Sequence, residues 1–294
     1  MPHKIESEDD FEAFTPPDDF DIFTNDDGAI WTLLEIASAE NDLDTVQEIV
    51  QLKKLRPLGY FITSAMVAIE HNHLEIVATL LQAGLPVGES IVRAALNSTE
   101  KYQYLQLFVA AGWDVNTSLN AHTPSVLALA SEANDLALVN WLLQELRADV
   151  NVECDQLHTP LSVALHHAAE PIVDAMMSQH VRTDKGQLMH YALWRALKQP
   201  QWDTRLMDSL LERGAPINKR MYECNNTGEV AYQMGAIPFG APLHIAVKAQ
   251  SAAAVEYLLQ YGARTDLKDE QDRTPFDLAS SEIRQLLQAA DAQQ

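Results

Sequence analysis

The chain has 294 residues, with 42 acidic side chains against 20 basic ones, a formal net charge of −22 and two cysteines. Such an acidic balance argues against nucleic acid as a direct ligand, since phosphate binding needs a basic surface, and favours a cationic partner or simple solubility. No apolar run approaches the ~20 residues of a membrane span, and Met1-Pro2-His3-Lys4-Ile5 lacks the apolar core of a signal peptide, so no membrane association and a cytoplasmic or nuclear location are expected, with Cys154 and Cys224 as reduced thiols.

Residues 1–28 hold ten acids against Lys4 alone, with Phe11, Phe14, Phe20, Ile22 and Phe23 interspersed and Pro16-Pro17 breaking the run. This composition predicts a disordered acidic tail. It reads either as a short recognition motif of the activation type or as a solvating leader; folding back onto the basic stretch near residue 200 is a further option.

From about residue 30 to 290 a pattern recurs, with units starting near Thr32, Thr63, Glu89, Thr123, Thr159, Gln187, Ala241 and Thr274. The first helix of each predicted unit carries a small residue, as at Ala37, Ala68, Ala128, Ala164, Ala192 and Ala246, where bulk would hold neighbouring units apart. Eight or nine residues on, a second helix shows apolar residues at helical spacing, such as Ile76, Val77, Leu80 and Leu81, or Val139, Leu142 and Leu143. Thr at the start suits a helix cap and Pro the first turn, where no amide donor is needed. Gly84, Gly112, Gly214 and Gly262 fall where a left-handed C-terminal cap belongs. One such unit cannot bury its apolar face alone, so stacking must supply the core.

Two stretches depart from the pattern. Residues 181–220 carry eight basic side chains against Asp184, Asp203, Asp208 and Glu212. The interval from Gln187 to Ala241 hides an inserted loop, 219–240, bearing Met221, Tyr222, Cys224, Tyr232, Met234 and Phe239 with glycine and proline breakers. Aromatics on a long loop are binding anchors in one reading and rings folded onto neighbouring units in the other.

The phrase Ala241-Pro242-Leu243-His244-Ile245-Ala246, running on through Val255-Glu256-Tyr257-Leu258-Leu259 to Gly262-Ala263, resembles the ankyrin repeat, as does Thr63 through His73-Leu74-Glu75-Ile76-Val77 to Gly84. The resemblance implies an all-α fold, an ankyrin-repeat solenoid of about seven to eight helix-turn-helix units. The 219–240 insertion then corresponds to a finger loop beside a concave groove. In that family the eighth and ninth positions of each unit line the groove. Here they are Ala39 and Glu40, Glu70 and His71, His166 and His167, Trp194 and Arg195, and Lys248 and Ala249. His122, His158 and Arg273 lie on the loop tips, and His73 matches the family's Gly-His turn, which implies that it caps the turn between helices. Trp194 beside Arg195 is the strongest anchor pair, Trp and Arg being the commonest hot-spot residues; the alternative is that Trp194 packs between units.

His166 and His167 with His122 and His158 raise the question of a metal. Neighbours on a helix point about 100° apart, which makes a poor chelating pair, so no metal and no cofactor are expected. The sequence carries no phosphate-cradling glycine loop, no HExxH and no Gly-x-Ser-x-Gly elbow. The expected function is therefore non-enzymatic: a monomer that binds a basic protein, such as a transcription factor, through its concave face and loops, as a transcription co-regulator. An adaptor subunit recruiting substrates to a cytosolic enzyme complex is the alternative.

Overall fold

The computed structural model describes residues 27–52, 59–221 and 240–292. Every regular element among them is a helix, and the chain divides into two compact units, Met1–Ala111 and Gly112–Gln294. The first holds three helix pairs: α1 (Asp27–Ala39) with α2 (Leu43–Leu52), α3 (Gly59–Glu70) with α4 (Leu74–Gln82), and α5 (Glu89–Asn97) with α6 (Lys101–Ala110). The second holds five. These are α7 (Val126–Glu132) with α8 (Leu136–Gln144), α9 (Pro160–His167) with α10 (Glu170–Met177), and α11 (Leu188–Lys198) with α12 (Arg205–Glu212). After them come α13 (Pro242–Lys248) with α14 (Ala252–Gln260) and the short α15 (Pro275–Leu278) followed by α16 (Ser281–Asp291).

Within each unit the first helices of successive pairs pack in a row, α1 on α3 on α5, and α7 on α9 on α11 on α13 on α15. Second helices pack behind them, α2 on α4 on α6, α8 on α10, and α14 on α16. The alanines read as spacers are all buried: Ala68, Ala128, Ala164 and Ala246 completely, Ala37 and Ala192 nearly so. A larger side chain there would collide with the next first helix, since interiors are close-packed and overpacking costs on the order of 1–3 kcal/mol. The second helices bury most of the predicted stripes, Ile76, Val77 and Leu80 in α4, where Leu81 is only half-buried, and Val139, Leu142 and Leu143 in α8, which also buries Leu138.

Turn chemistry follows from the same repeat. In four pairs the turn between the helices passes through a left-handed residue, Asn41, Asn72, Asn134 and Gln250 at φ of 60°, 62°, 54° and 52°, a conformation asparagine tolerates because its short polar side chain can bond locally. The other first helices, α5, α9, α11 and α15, end in extended backbone at Ser98, Ala168, Gln199 and Ala279. Gly84, Gly112, Gly214 and Gly262 close second helices at φ between 82° and 97°, where a Cβ would be strained. Thr159 and Thr274 form reciprocal capping boxes with Ser162 and Asp277, and Pro160 and Pro275 open their helices. Thr32 and Thr63, by contrast, lie inside α1 and α3. Leu33 and Ser64 stand where other units have proline, so nothing stops these helices from extending a turn upstream.

Side chains also stitch successive pairs together. The Asn116 Oδ1 accepts from the Asp149 amide at 2.8 Å, Asn151 from that of Arg182 at 2.7 Å, and Asn218 from that of Arg264 at 2.9 Å. His190 and His244, buried in α11 and α13, donate from Nε2 to the carbonyls of Gly240 and Arg273, each at 3.1 Å. In the Met1–Ala111 unit His73 does not cap its own helix; its Nδ1 donates to the Ser38 carbonyl of α1 at 2.9 Å. Each bond contributes on the order of 1 kcal/mol, and together they set the spacing between pairs.

Candidate partner-binding surface

The exposed side of the first-helix row in the Gly112–Gln294 unit is where chemistry concentrates. A cavity of about 210 Å³ opens there, lined by His122, Glu132, His158, His166, His167 and Tyr191 among others. Two hairpin loops deliver His122 and His158. The C-terminal turn of α9 brings His166 and His167, and Tyr191 rises from α11 three residues before Trp194, on the same helical face.

The rings form a continuous chain of edge-to-face contacts: Tyr191 against Trp194 with centroids 5.4 Å apart, against His166 at 5.8 Å and against His158 at 6.0 Å. Such pairs hold geometry beyond what burial alone provides. Burial drives the pKa of His158 below its ordinary value, against the effect of a hydrogen bond to the His122 backbone. A neutral His158 leaves a lone pair on Nε2, which lies 3.0 Å from the Tyr191 hydroxyl and accepts its proton. His122 is held in turn by Gln156, Nδ1 to Oε1 at 2.6 Å.

His166 and His167 meet in a way that the helix geometry did not suggest. Their rings lie 4.1 Å apart, with Nδ1 of His166 and Nε2 of His167 at 2.7 Å. They sit at the very end of α9, where the chain turns extended at Ala168 and the side chains have room to swing together. One nitrogen donates and the other accepts, so a single proton lies between them. Burial, followed by the charges of His167, Lys198 and His158, lowers the His166 pKa to about 4. Among the described residues no group of three or more His, Cys, Asp or Glu side chains is placed to hold a metal ion.

Arg195, adjacent to Trp194, turns away from this cavity. Its Nη1 donates to the carbonyls of Leu165 at 3.2 Å and Ala168 at 2.8 Å, and its Nη2 to Glu170 Oε2 at 2.8 Å. The guanidinium thus satisfies carbonyls at the end of α9 and complements the dipole there. Beyond it a cleft of about 540 Å³, with Trp202, Arg205 and Gln199 in its wall, lies between α11 and α12. Lys248 is exposed at the end of α13. In the Met1–Ala111 unit His71 is exposed at the end of α3, its ring stacked on His73 at 5.8 Å. Tyr222, Tyr232 and Phe239, like Cys224 and residues 1–26 of the acidic tail, lie outside the described residues, and the tail's last two residues, Asp27 and Gly28, open α1. The structure thus links His166 and Trp194 through Tyr191, sets His167 against His166, and leaves Lys248 outside the cavity's lining; His71 belongs to the other unit. Tyr191, which organises the surface, was missed because it reads as core; its spacing of three from Trp194 was the available signal.

The helix pairs, the Asn-containing turns and the Thr-Pro caps are those of ankyrin repeats, and the Ankyrin repeat family profile matches residues 241–270. A putative ankyrin repeat protein of Rickettsia felis is 27% identical over 180 residues, covering 56% of this chain and 71% of the relative. Among solved structures, the ankyrin repeat domain of Bcl-3, a member of the IkappaB protein family, aligns with 87% of this chain and 97% of its own at 19% identity and a TM-score of 0.42. Residues 241–270 are thus an ankyrin repeat, and the chain around them is similar to ankyrin repeat proteins. Ankyrin repeats are generally protein–protein interaction modules. No helix among the described residues is long and apolar enough to cross a membrane.

Proposed function

We propose that the chain holds a protein partner against its first-helix rows, with Trp194, His166 and His167 as the central contacts of the Gly112–Gln294 unit. His71 and Lys248 contribute on their own pairs, and Tyr222, Tyr232 and Phe239 act as anchors from the inserted loop. The ring-lined cavity beside Trp194 carries the reading: a half-buried indole on a rigid helix, beside space and hydrogen-bonding groups, is what an anchor site requires. Arg195 supports this surface from behind by holding the end of α9. The excess of acid in the chain, including Glu40 and Glu70 on the first-helix row of the Met1–Ala111 unit, supports a basic segment as the ligand of that unit. A monomeric transcription co-regulator is the narrower role we assign.

Affinity capture on the full chain, followed by direct titration of the recovered protein, tests the reading. Trp194→Ala should weaken binding at least about tenfold, an ordinary loss for a hot spot, and shortening residues 219–240 should weaken it further. Unchanged affinity in both variants would move the binding surface elsewhere. Light scattering on the eluted protein checks the monomer, and imaging of the tagged chain checks nuclear residence.

A further inference from the structure

We infer that the groove bordered by α7, α9 and α11 takes an acidic segment of its partner, an exposed run of Asp or Glu, and that the hydrogen-bonded pair of imidazoles at the end of α9 takes up one further proton as it docks. The inference rests on the docking role proposed above and assigns the chemistry of the ligand at this one surface. The chain as a whole is strongly acidic, yet the first-helix row here is not. From α9 to α13 its exposed termini are His167, Lys198 and Lys248, and acid enters at the two ends of the row, Glu132 of α7, which lines the cavity, and Asp277 of α15. Four imidazoles border the cavity, and imidazoles are the side chains that can gain charge near neutral pH.

The geometry shows how the gain occurs. In the unliganded protein His166 and His167 share one proton across 2.7 Å. A second proton makes both facing nitrogens donors, so the bond between them cannot persist, and the exposed His167 ring is released with an N–H toward the groove. A carboxylate arriving there accepts from it, and the charge-assisted bond replaces the lost one. The groups facing His166 are Glu132 of α7, His122 and His158 of the loops, and Tyr191 and Lys198 of α11. The carboxylate of Glu170 on α10 is engaged by Arg195. Lys198 and the neighbouring imidazoles resist protonation of the free groove, and an incoming carboxylate offsets that resistance. Proton uptake and binding of acid are therefore coupled, and affinity rises as pH falls.

The test uses the full-length chain and two labelled synthetic decapeptides of alternating residues, Glu-Leu and Lys-Leu, titrated by fluorescence anisotropy at pH 7.5 and 5.5, with circular dichroism confirming the fold at both. The Glu-Leu peptide should bind, and tighten roughly tenfold or more on acidification, each fully linked proton contributing up to tenfold per pH unit. His166→Gln with His167→Gln should flatten that dependence, and Lys198→Gln should weaken binding at both pH values. Absence of Glu-Leu binding at pH 5.5, or the same pH dependence in the double variant, overturns the inference. Binding of the Lys-Leu peptide alone, released by Trp194→Ala, also overturns it while leaving the groove a docking surface.

Discussion

The two units build the same helix pairs and then present opposite chemistry. Along the first-helix row of Met1–Ala111 the exposed side chains include Glu40, Met66 and Glu70, with Arg93 neutralised by Glu89 at 2.7 Å. Along that of Gly112–Gln294 the middle carries His167, Lys198 and Lys248, with a linked set of rings beside them, and acid returns only toward the ends at Glu132 and Asp277. Capping, by contrast, varies within both units. Asp135, Thr159, Ser251 and Ser280 cap helices in the second and Asp42 caps α2 in the first, whereas α4, α5 and α6 of the first and α7, α10, α11, α12 and α13 of the second have no side-chain cap. Packing constrains only the positions that touch the next pair, so recognition and capping vary freely on the same scaffold.

The first way to press on this comparison is to remove apolar packing where little else holds. Phe108 is completely buried beside Tyr104 in α6, and Phe108→Ala should cost about 3–5 kcal/mol, read as a lowered denaturation midpoint with lost amide protection in α5 and α6. A shift no larger than that of a surface substitution would mean that this unit is not held by its core.

Acid should separate the units next. His190 is fully buried, and burial, against hydrogen bonds to Gly240 and Gln187, pushes its pKa to about 4; burial lowers that of His244 too. A depressed folded value means that the unfolded chain takes the proton first. The stability is therefore present above the free imidazole value near 6.5 and is lost as pH falls toward about 4, by roughly 3 kcal/mol for His190. His71 and His73 of the first unit both reach solvent. Segment-resolved hydrogen exchange, corrected for intrinsic rates, should show α11 and α13 losing protection between about pH 7 and 5 while α3 and α5 keep theirs; equal losses would remove the distinction.

Within the second unit, Arg195 and Trp194 can be told apart. Arg195→Ala leaves carbonyls at the end of α9 and the Glu170 carboxylate without their donor, so stability should fall by about 1–3 kcal/mol. Trp194→Ala should show chiefly in partner affinity. A reversal of these phenotypes in paired melting and binding measurements would return Arg195 to the binding face. The smallest effect expected is from Thr159→Ala, which removes a capping box for about 1 kcal/mol; calorimetry on the variant reads it directly.

The repeat was legible wherever a residue does its work through local geometry. Thr159-Pro160, Thr274-Pro275, Gly84 and the alanine spacers announce caps, stops and close approaches because backbone sterics act over a few residues. Thr32 and Thr63 misled for the same reason: without a following proline the local stop is missing and the helix runs on. The sequence by itself determined the class of fold, since a period near 33 residues with an apolar stripe has no other way to bury itself. Only the tertiary structure decided which side chains share a surface. Arg195 and Trp194 are neighbours in the chain, yet one braces the end of α9 and the other packs edge-to-face on Tyr191. His166 and His167, which point apart along an ideal helix, close on one proton where that helix ends. Side-chain rotation at a helix terminus and the register between successive pairs set those meetings, and both depend on residues some thirty positions away in the chain.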